Sequence, residues 1–513
     1  MVTDVNATGR QSYTQILKST VLIGGSSVVN IGFSIIRNKA MALLLGPEGV
    51  GLMGLYSATV DIVHSVAGFG MNASGVRQIA ESVGSDDPDR IARTATALRR
   101  ISVVLGLLGT LAMALLAAPI ARWTFGDDQH ATAMRLLSIV ILFQVMSGGQ
   151  TALVQGVRDI AGLARLSILG AFFSTVISIP IIYLYGERGI VASIVCIAAA
   201  TLATSWWYSR KIEINPCRLS FTDLRLEAAG LFKLGFIFMV SGFLTFGSAY
   251  AIRIIVLDEA GIVAAGLYQA AWSLGGLYAG FILQAMGTDF YPRLTGVAND
   301  DGECNRLVNE QTQVSVLLAG PGLLATLTLA PVIMHVFYSP AFYAAVDLLR
   351  WICLGMMLRI VAWPIGFIIL AKGAQRIFFW TEVAAAIVHV GLAWICVKSF
   401  GTVGAGIAFF GLYVWHSILI YWIARRYTGF RYSAINRVLV FVYLPLSGMV
   451  SLGFQFLPLW LASSIGLVAT AATGLYSLKT LAELLPPEAL PRVVRTRFGR
   501  AAMSWSGSVR QVP

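Results

Sequence analysis

The sequence predicts an all-α polytopic membrane protein. About fourteen transmembrane helices are expected, as two six-helix pseudo-symmetric lobes around a central cavity plus two C-terminal helices. Three observations carry this. Of 513 residues, 57% are apolar and 12% charged, about half the charged share of a soluble domain, and the mean hydropathy is +0.76. Basic residues alternate from one side of the chain's apolar runs to the other. The first six spans are also echoed, faintly, by the next six. So apolar a composition excludes a soluble enzyme, because too little polar material exists to cover its surface. The long continuous apolar runs argue against a β-barrel, whose strands alternate.

Spans are expected near 16–36, 50–72, 100–121, 134–156, 162–185, 187–207, 230–256, 262–286, 312–338, 344–370, 376–398, 402–424, 437–456 and 458–480. Residues 1–15 form a polar N-terminal segment. The first apolar run is followed by Arg37, Asn38 and Lys39 rather than by a small-residue cleavage site, so it reads as an uncleaved span. Helices 1–6 make an N-lobe over 16–207, a cytoplasmic linker covers 208–229, and helices 7–12 make a C-lobe over 230–424. Helices 13 and 14 occupy 437–480, with Leu457 and Pro458 at their turn, and 483–513 is a cytoplasmic tail bearing Pro486, Pro487 and Pro491.

The basic residues test this map. With the N-terminus in the cytoplasm, 28 of the 37 Lys and Arg fall on cytoplasmic segments and nine elsewhere. That bias supports both the count and the orientation, with both termini cytoplasmic. The net charge of +12 therefore reads as membrane topology rather than as nucleic-acid binding. The cysteines (Cys196, Cys217, Cys304, Cys353 and Cys396) are scattered, with no CxxC and no His at ligand spacing. Neither a disulfide framework, a metal site nor a cofactor is expected. There is no GxxxxGK[ST] and no loop long enough for an ATP-binding domain. Energy must come from an ion gradient, the substrate gradient or other proteins.

The repeat lies between LKSTVLIGGSSVVNIGFSIIR at 17–37 and FKLGFIFMVSGFLTFGSAYAIR at 232–253. Each is followed by GLY, at 54–56 and 266–268, and the offset is about 215 residues, or six spans. An even number of spans keeps the orientation, so the repeat is parallel, as in transporters whose lobes rock about a shared cavity.

Several stretches carry a family resemblance. They are KAMALLLGPEGVGL at 39–52, WTFGDD through QGVRDIAGLARLSILG at 123–170, FYPRLTG at 290–296, and FYSPAFYAAVDLLRW through ILAKGAQRIFFWTEV at 337–383. Over about 15–427 the chain resembles the Wzx-type polysaccharide flippases of the MOP exporter superfamily, the O-antigen and enterobacterial common antigen translocases. The resemblance implies a flippase that moves undecaprenyl-pyrophosphate-linked oligosaccharide units from the cytoplasmic to the periplasmic leaflet of a bacterial inner membrane. It further implies a glycan polymerase and chain-length regulator as partners, and no nucleic acid. Shorter members of the close family end after twelve spans, so a transport role for helices 13 and 14 is in doubt.

A hydrated, phosphorylated headgroup finds no partners in hydrocarbon, so the ionisable residues within spans are the candidate site. Lys39, Arg253, Arg359, Gln269 and Arg37 are the candidates for holding pyrophosphate and sugar. Arg37 and Arg350, nearer span ends, also fit snorkelling to headgroups. Asp61 with His64, and Glu382 with His389, each share a helix face and are candidates for proton or cation coupling. His416 fits a structural role better. Arg158, Asp159 and Arg293, on cytoplasmic loops, are candidates for a gate. Two rivals remain. One is an exporter of another substrate in the same superfamily (lipid II, or a drug or cation), although drug exporters prefer acidic cavities. The other is a membrane glycan polymerase or ligase, which needs a larger external loop. The expected protein is not an enzyme.

Overall fold

The computed structural model describes residues 2–83, 88–212, 220–286 and 290–484. Cys217 and Arg218 in the linker, and Pro486, Pro487, Pro491 and the arginines of the tail, lie outside the described residues. Among the described residues the chain is helical with short 3-10 turns and no strand, as hydrocarbon demands, since each span must satisfy its own backbone N–H and C=O groups. Among the described residues ten helices are long and apolar enough to cross a membrane, or eleven if one bent pair is a single crossing. Three of the longest apolar stretches contain a glycine of positive φ: Gly46 at 63°, Gly186 at 56° and Gly261 at 85°. Dividing each stretch there makes the structure compatible with fourteen crossings.

The first helix, α1 (Val2–Ala67), consists of two limbs joined at Gly46, and Pro47 opens the second limb, where its missing N–H is tolerated. Arg37 and Met41 of the first limb share a cavity wall with Val50, Gly54 and Ser57 of the second, so the limbs run antiparallel. After a break at Phe69 and Gly70, both of positive φ, come α2 (Met71–Val83), α3 (Pro88–Leu115), α4 (Ala117–Phe125), α5 (Ala131–Gly156), α6 (Ile160–Tyr185) and α7 (Gly189–Ser209).

The second lobe opens with α8 (Phe221–Ala285). Ser220 caps its first turn while Asp223 reaches back in a capping box, and these hydrogen bonds hold the Asp223 carboxyl below its ordinary range. The helix folds over at Gly261, 215 residues after Gly46, so the same glycine hairpin opens each lobe at the repeat offset. Then follow α9 (Tyr291–Gly296), α10 (Asp301–Thr328), α11 (Ala330–Phe337), α12 (Val346–Ala371), α13 (Gln375–Phe400), α14 (Val403–Thr428), α15 (Ala434–Phe456) and α16 (Leu459–Leu484). The packing repeats as well. In the first lobe α3 lies on α5, α5 on α7, α6 on α7 and α1 on α6; in the second α10 lies on α12, α12 on α14, α13 on α14 and α8 on α13.

Three elements differ from expectation. The second span ends at Ala67 rather than near 72, the third breaks at Leu116, and the ninth is not straight: α10 and α11 meet at 83°. Pro119 and Pro331 stand in the first turn of the helix after their breaks. Apolarity continues across both bends, so hydropathy alone does not reveal them.

The last hairpin braces α10. Asn309 donates to the Arg431 carbonyl at 3.0 Å and accepts from the Ser433 N–H at 2.8 Å and the Asn436 amide at 2.9 Å. The buried Tyr443 ring fills the space left at Gly320, its hydroxyl 2.7 Å from Ser477 Oγ. The lobes themselves meet closely where Gly51 faces Gly266 at the hairpin end: a methyl on Gly266 would run into the Pro47 carbonyl oxygen. Gly266→Val should therefore destabilise the protein by about 1–3 kcal/mol or more, the overpacking penalty. The thermal midpoint in detergent should fall, whereas Gly276→Ala, which meets open space, should leave it in place.

Candidate functional site between the lobes

At the hairpin end, α1, α8 and the turn after α11 enclose a polar chamber of about 120 Å³, where a single water needs about 10–15 Å³. Arg37 and Asn38 come from the first limb of α1, Ser57 from the second, Gln269 and Ser273 from the second limb of α8, and Tyr338 from beyond α11. Arg37 Nε is buried and has no hydrogen-bond partner among the described residues. A buried charged donor without an acceptor is costly, and an anionic oxygen is the group that would satisfy it.

Arg253 lies alongside. Its Nε and Nη2 donate to Gln269 Oε1 at 3.2 and 3.0 Å, Nη1 donates to the Ala249 carbonyl at 2.9 Å, and the guanidinium sits 5.7 Å from the Tyr268 ring centroid. A side chain at position 54 would press on Gln269 at 3.0 Å, so Gly54 lets that amide sit between Arg253 and the chamber. Asp61, exposed on the second limb of α1, feels the Arg253 charge, and His64 lies one turn further, half-buried. The structure thus brings Arg37, Gln269 and Arg253 together, with Asp61 beside them.

Arg359 belongs to a second cluster, inside the C-lobe. Its guanidinium lies 4.5 Å from the Trp363 ring and 5.8 Å from the Tyr413 ring, and its Nε is buried without a hydrogen-bond partner among the described residues. Glu382 and His389 of α13 and His416 of α14 all interact electrostatically with it. His416, read from the sequence as structural, therefore stands with the ionisable groups, its Nδ1 buried and without a hydrogen-bond partner among the described residues.

Lys39 points elsewhere. Its ammonium donates to the carbonyls of His335 and Tyr338 at the C-terminal end of α11, where the helix dipole favours a cation. It ties the first lobe to the second at the hairpin end. On the opposite, basic end, Arg158 is exposed with φ of 60°. Asp159 caps α6 by accepting from the Gly162 N–H at 2.8 Å, and Arg293 is half-buried on α9. Sequence reasoning did not single out Asn38, which stands between two charged candidates, nor Ser57, Ser273 and Tyr338, which no spacing marks.

The family model described as "Polysaccharide biosynthesis protein" matches residues 40–347. A lipid III flippase of Escherichia coli is 23% identical over 401 residues, covering 77% of this chain and 95% of its own. Among solved structures, an inward-facing MATE family multidrug transporter of the MOP superfamily superposes with a TM-score of 0.66 at 16% identity, over 80% of this chain and 98% of that one. A MOP superfamily transporter from Pyrococcus furiosus, described by the reverse polarity of its binding pocket, gives a TM-score of 0.62 at 16% identity, over 81% and 98% of the two chains. These likenesses establish a MATE-like MOP fold.

The Lys39 tie has a direct test. Lys39→Met should open the hairpin end, raising labelling of a cysteine at Ser57 by a membrane-impermeant maleimide about tenfold, as expected for losing one charge-assisted hydrogen bond. The assay uses a background with the native cysteines replaced by serine, and unchanged labelling would show that Lys39 closes nothing.

Proposed function

Starting from the fact that this chain belongs to the polysaccharide biosynthesis protein family, matched over residues 40–347, we propose that it is a flippase for polyprenyl-pyrophosphate-linked oligosaccharide. It carries the headgroup from the cytoplasmic to the outer leaflet of a bacterial inner membrane, with both termini in the cytoplasm. It makes and breaks no covalent bond, so it is not an enzyme. The observation that carries this reading is the Arg37 guanidinium, aimed into a polar chamber between the lobes with an unsatisfied Nε, beside the Arg253–Gln269 pair. An acidic, drug-binding cavity would need the opposite charge. The lipid III flippase of Escherichia coli is named for a substrate class of this chemistry.

In this reading the lobes rock about the chamber. The closure at Lys39, Gly51 and Gly266 blocks the hairpin end, so a headgroup arrives from the basic end. Phosphate oxygens satisfy Arg37 and compete with Gln269 for Arg253, which supplies energy to loosen that closure. The Arg359, Glu382, His389 and His416 cluster is the place where an ion gradient acts, since a proton or cation there changes the charge surrounding a fixed guanidinium. A polymerase and chain-length regulator would take the product.

Deleting the gene should accumulate lipid-linked repeat units on the cytoplasmic side. The double variant Arg37→Ala/Arg253→Ala should restore surface glycan at least about tenfold less well than wild type at equal protein level, the weight of charge-assisted hydrogen bonds lost to the headgroup. Normal glycan display from that variant would refute the cationic chamber.

A further inference from the structure

Beside the polar chamber the structure holds a larger, apolar groove of about 600 Å³. Its walls are the second limb of α1, α3 and α4 from one lobe and the first limb of α8 from the other. The groove runs along the span from Phe69, toward the basic end, to Trp123, toward the hairpin end, and its rim is open: Leu108 is 58% exposed and Phe243 47%. Its polar points are Thr59 and Tyr250, and the Tyr250 hydroxyl lies 2.6 Å from Thr124 Oγ1.

The helices that line the groove also bear the polar site. Arg253 is one turn from Tyr250 on α8, and residues three apart share a helix face. Where the second limb of α1 meets the first limb of α8, aromatic contact and close approach at glycine both occur: the Phe69 and Phe232 ring centroids lie 5.1 Å apart. A side chain at Gly242 would meet Ser65 Cβ at 3.6 Å, one at Gly247 would meet Ile62 at 3.7 Å, and Gly70 abuts Gly235. Groove and chamber are linked through one helix: Tyr250 lines the groove, and Arg253, one turn on, donates to Gln269, which lines the chamber.

We infer that this groove, between α3, α4 and the facing limbs of α1 and α8, holds the polyprenyl tail of the substrate while its phosphorylated headgroup occupies the lobe interface. The inference rests on the proposed flippase reading and adds where the tail lies. Bulk lipid is as apolar as the groove, so selectivity comes from the tether: a headgroup bound at Arg37 and Arg253 keeps its own tail at high local concentration.

A photo-crosslinking amino acid at Leu108, inside the groove, is compared with one at Phe441, which is 75% exposed on α15. The full-length protein is placed in phosphatidylethanolamine vesicles doped with undecaprenyl pyrophosphate. The ratio of polyprenyl to phospholipid adducts should be at least about tenfold higher at Leu108 than at Phe441. Ala112→Trp, which fills the groove from its exposed side, should lower that ratio without lowering the thermal midpoint. Total undecaprenyl pyrophosphate retained by the purified protein is measured in parallel. Equal adduct ratios with retention intact overturn the groove and leave the flippase reading standing. Equal ratios with retention no higher than in Arg37→Ala/Arg253→Ala overturn both.

Discussion

A guanidinium cannot shed its charge, and a bilayer interior has nothing to offer it. Arg37 and Arg253 impose that constraint on everything around them. Arg253 is satisfied by the Gln269 amide and the Ala249 carbonyl, and Gln269 reaches it because position 54 has no side chain. Arg37 keeps an Nε with no partner among the described residues. The surrounding helices therefore enclose a chamber rather than a packed core, lined by serines, an asparagine and a tyrosine. A polar hollow within an apolar bundle is what a hydrated anion needs in order to cross.

The hairpins make this geometry possible. Gly46 and Gly261 each reverse the chain in a backbone conformation that side chains rarely adopt, and each delivers two antiparallel limbs to the lobe interface. Their tips meet at Gly51 and Gly266, close enough that backbone touches backbone. Lys39 reinforces the meeting by binding the carbonyl end of α11. The contacts at this end are small and polar, and contacts of that kind separate more readily than an interlocked apolar seam. The final hairpin does something different. Through Asn309, Asn436, Tyr443 and Gly320 it fixes α10 from outside, steadying the helix whose continuation, α11, receives Lys39.

Much of the fold was legible because it follows from rules the bilayer enforces. Apolar runs gave the helices, and Leu457 and Pro458 marked the turn between α15 and α16. The faint repeat at an offset of 215 reappears as the two glycine hairpins. The bend between α10 and α11 was hidden because apolarity does not change across it. Within the site, Arg253 and Gln269 could be named from charge inside a span and from the GLY that follows each repeat. Their contact could not be named, since it depends on a hairpin bringing residues 16 apart face to face. Lys39 shows the converse limit. Its position beside Arg37 suggested a shared role, yet two residues along a helix is about 200° of rotation, and its ammonium faces α11. His416 looked ordinary in sequence because Arg359, whose charge it feels, lies on another helix.

The central claim is that the lobes pass a phosphorylated headgroup through a cationic chamber. It is tested most directly by purified protein in vesicles, with a fluorescent polyprenyl-pyrophosphate oligosaccharide and a membrane-impermeant quencher. Transbilayer movement should appear with the wild-type protein, and excess inorganic pyrophosphate, competing for the arginines, should slow it. Movement equally fast with an uncharged polyprenyl glycoside, or indifferent to pyrophosphate, would contradict the claim.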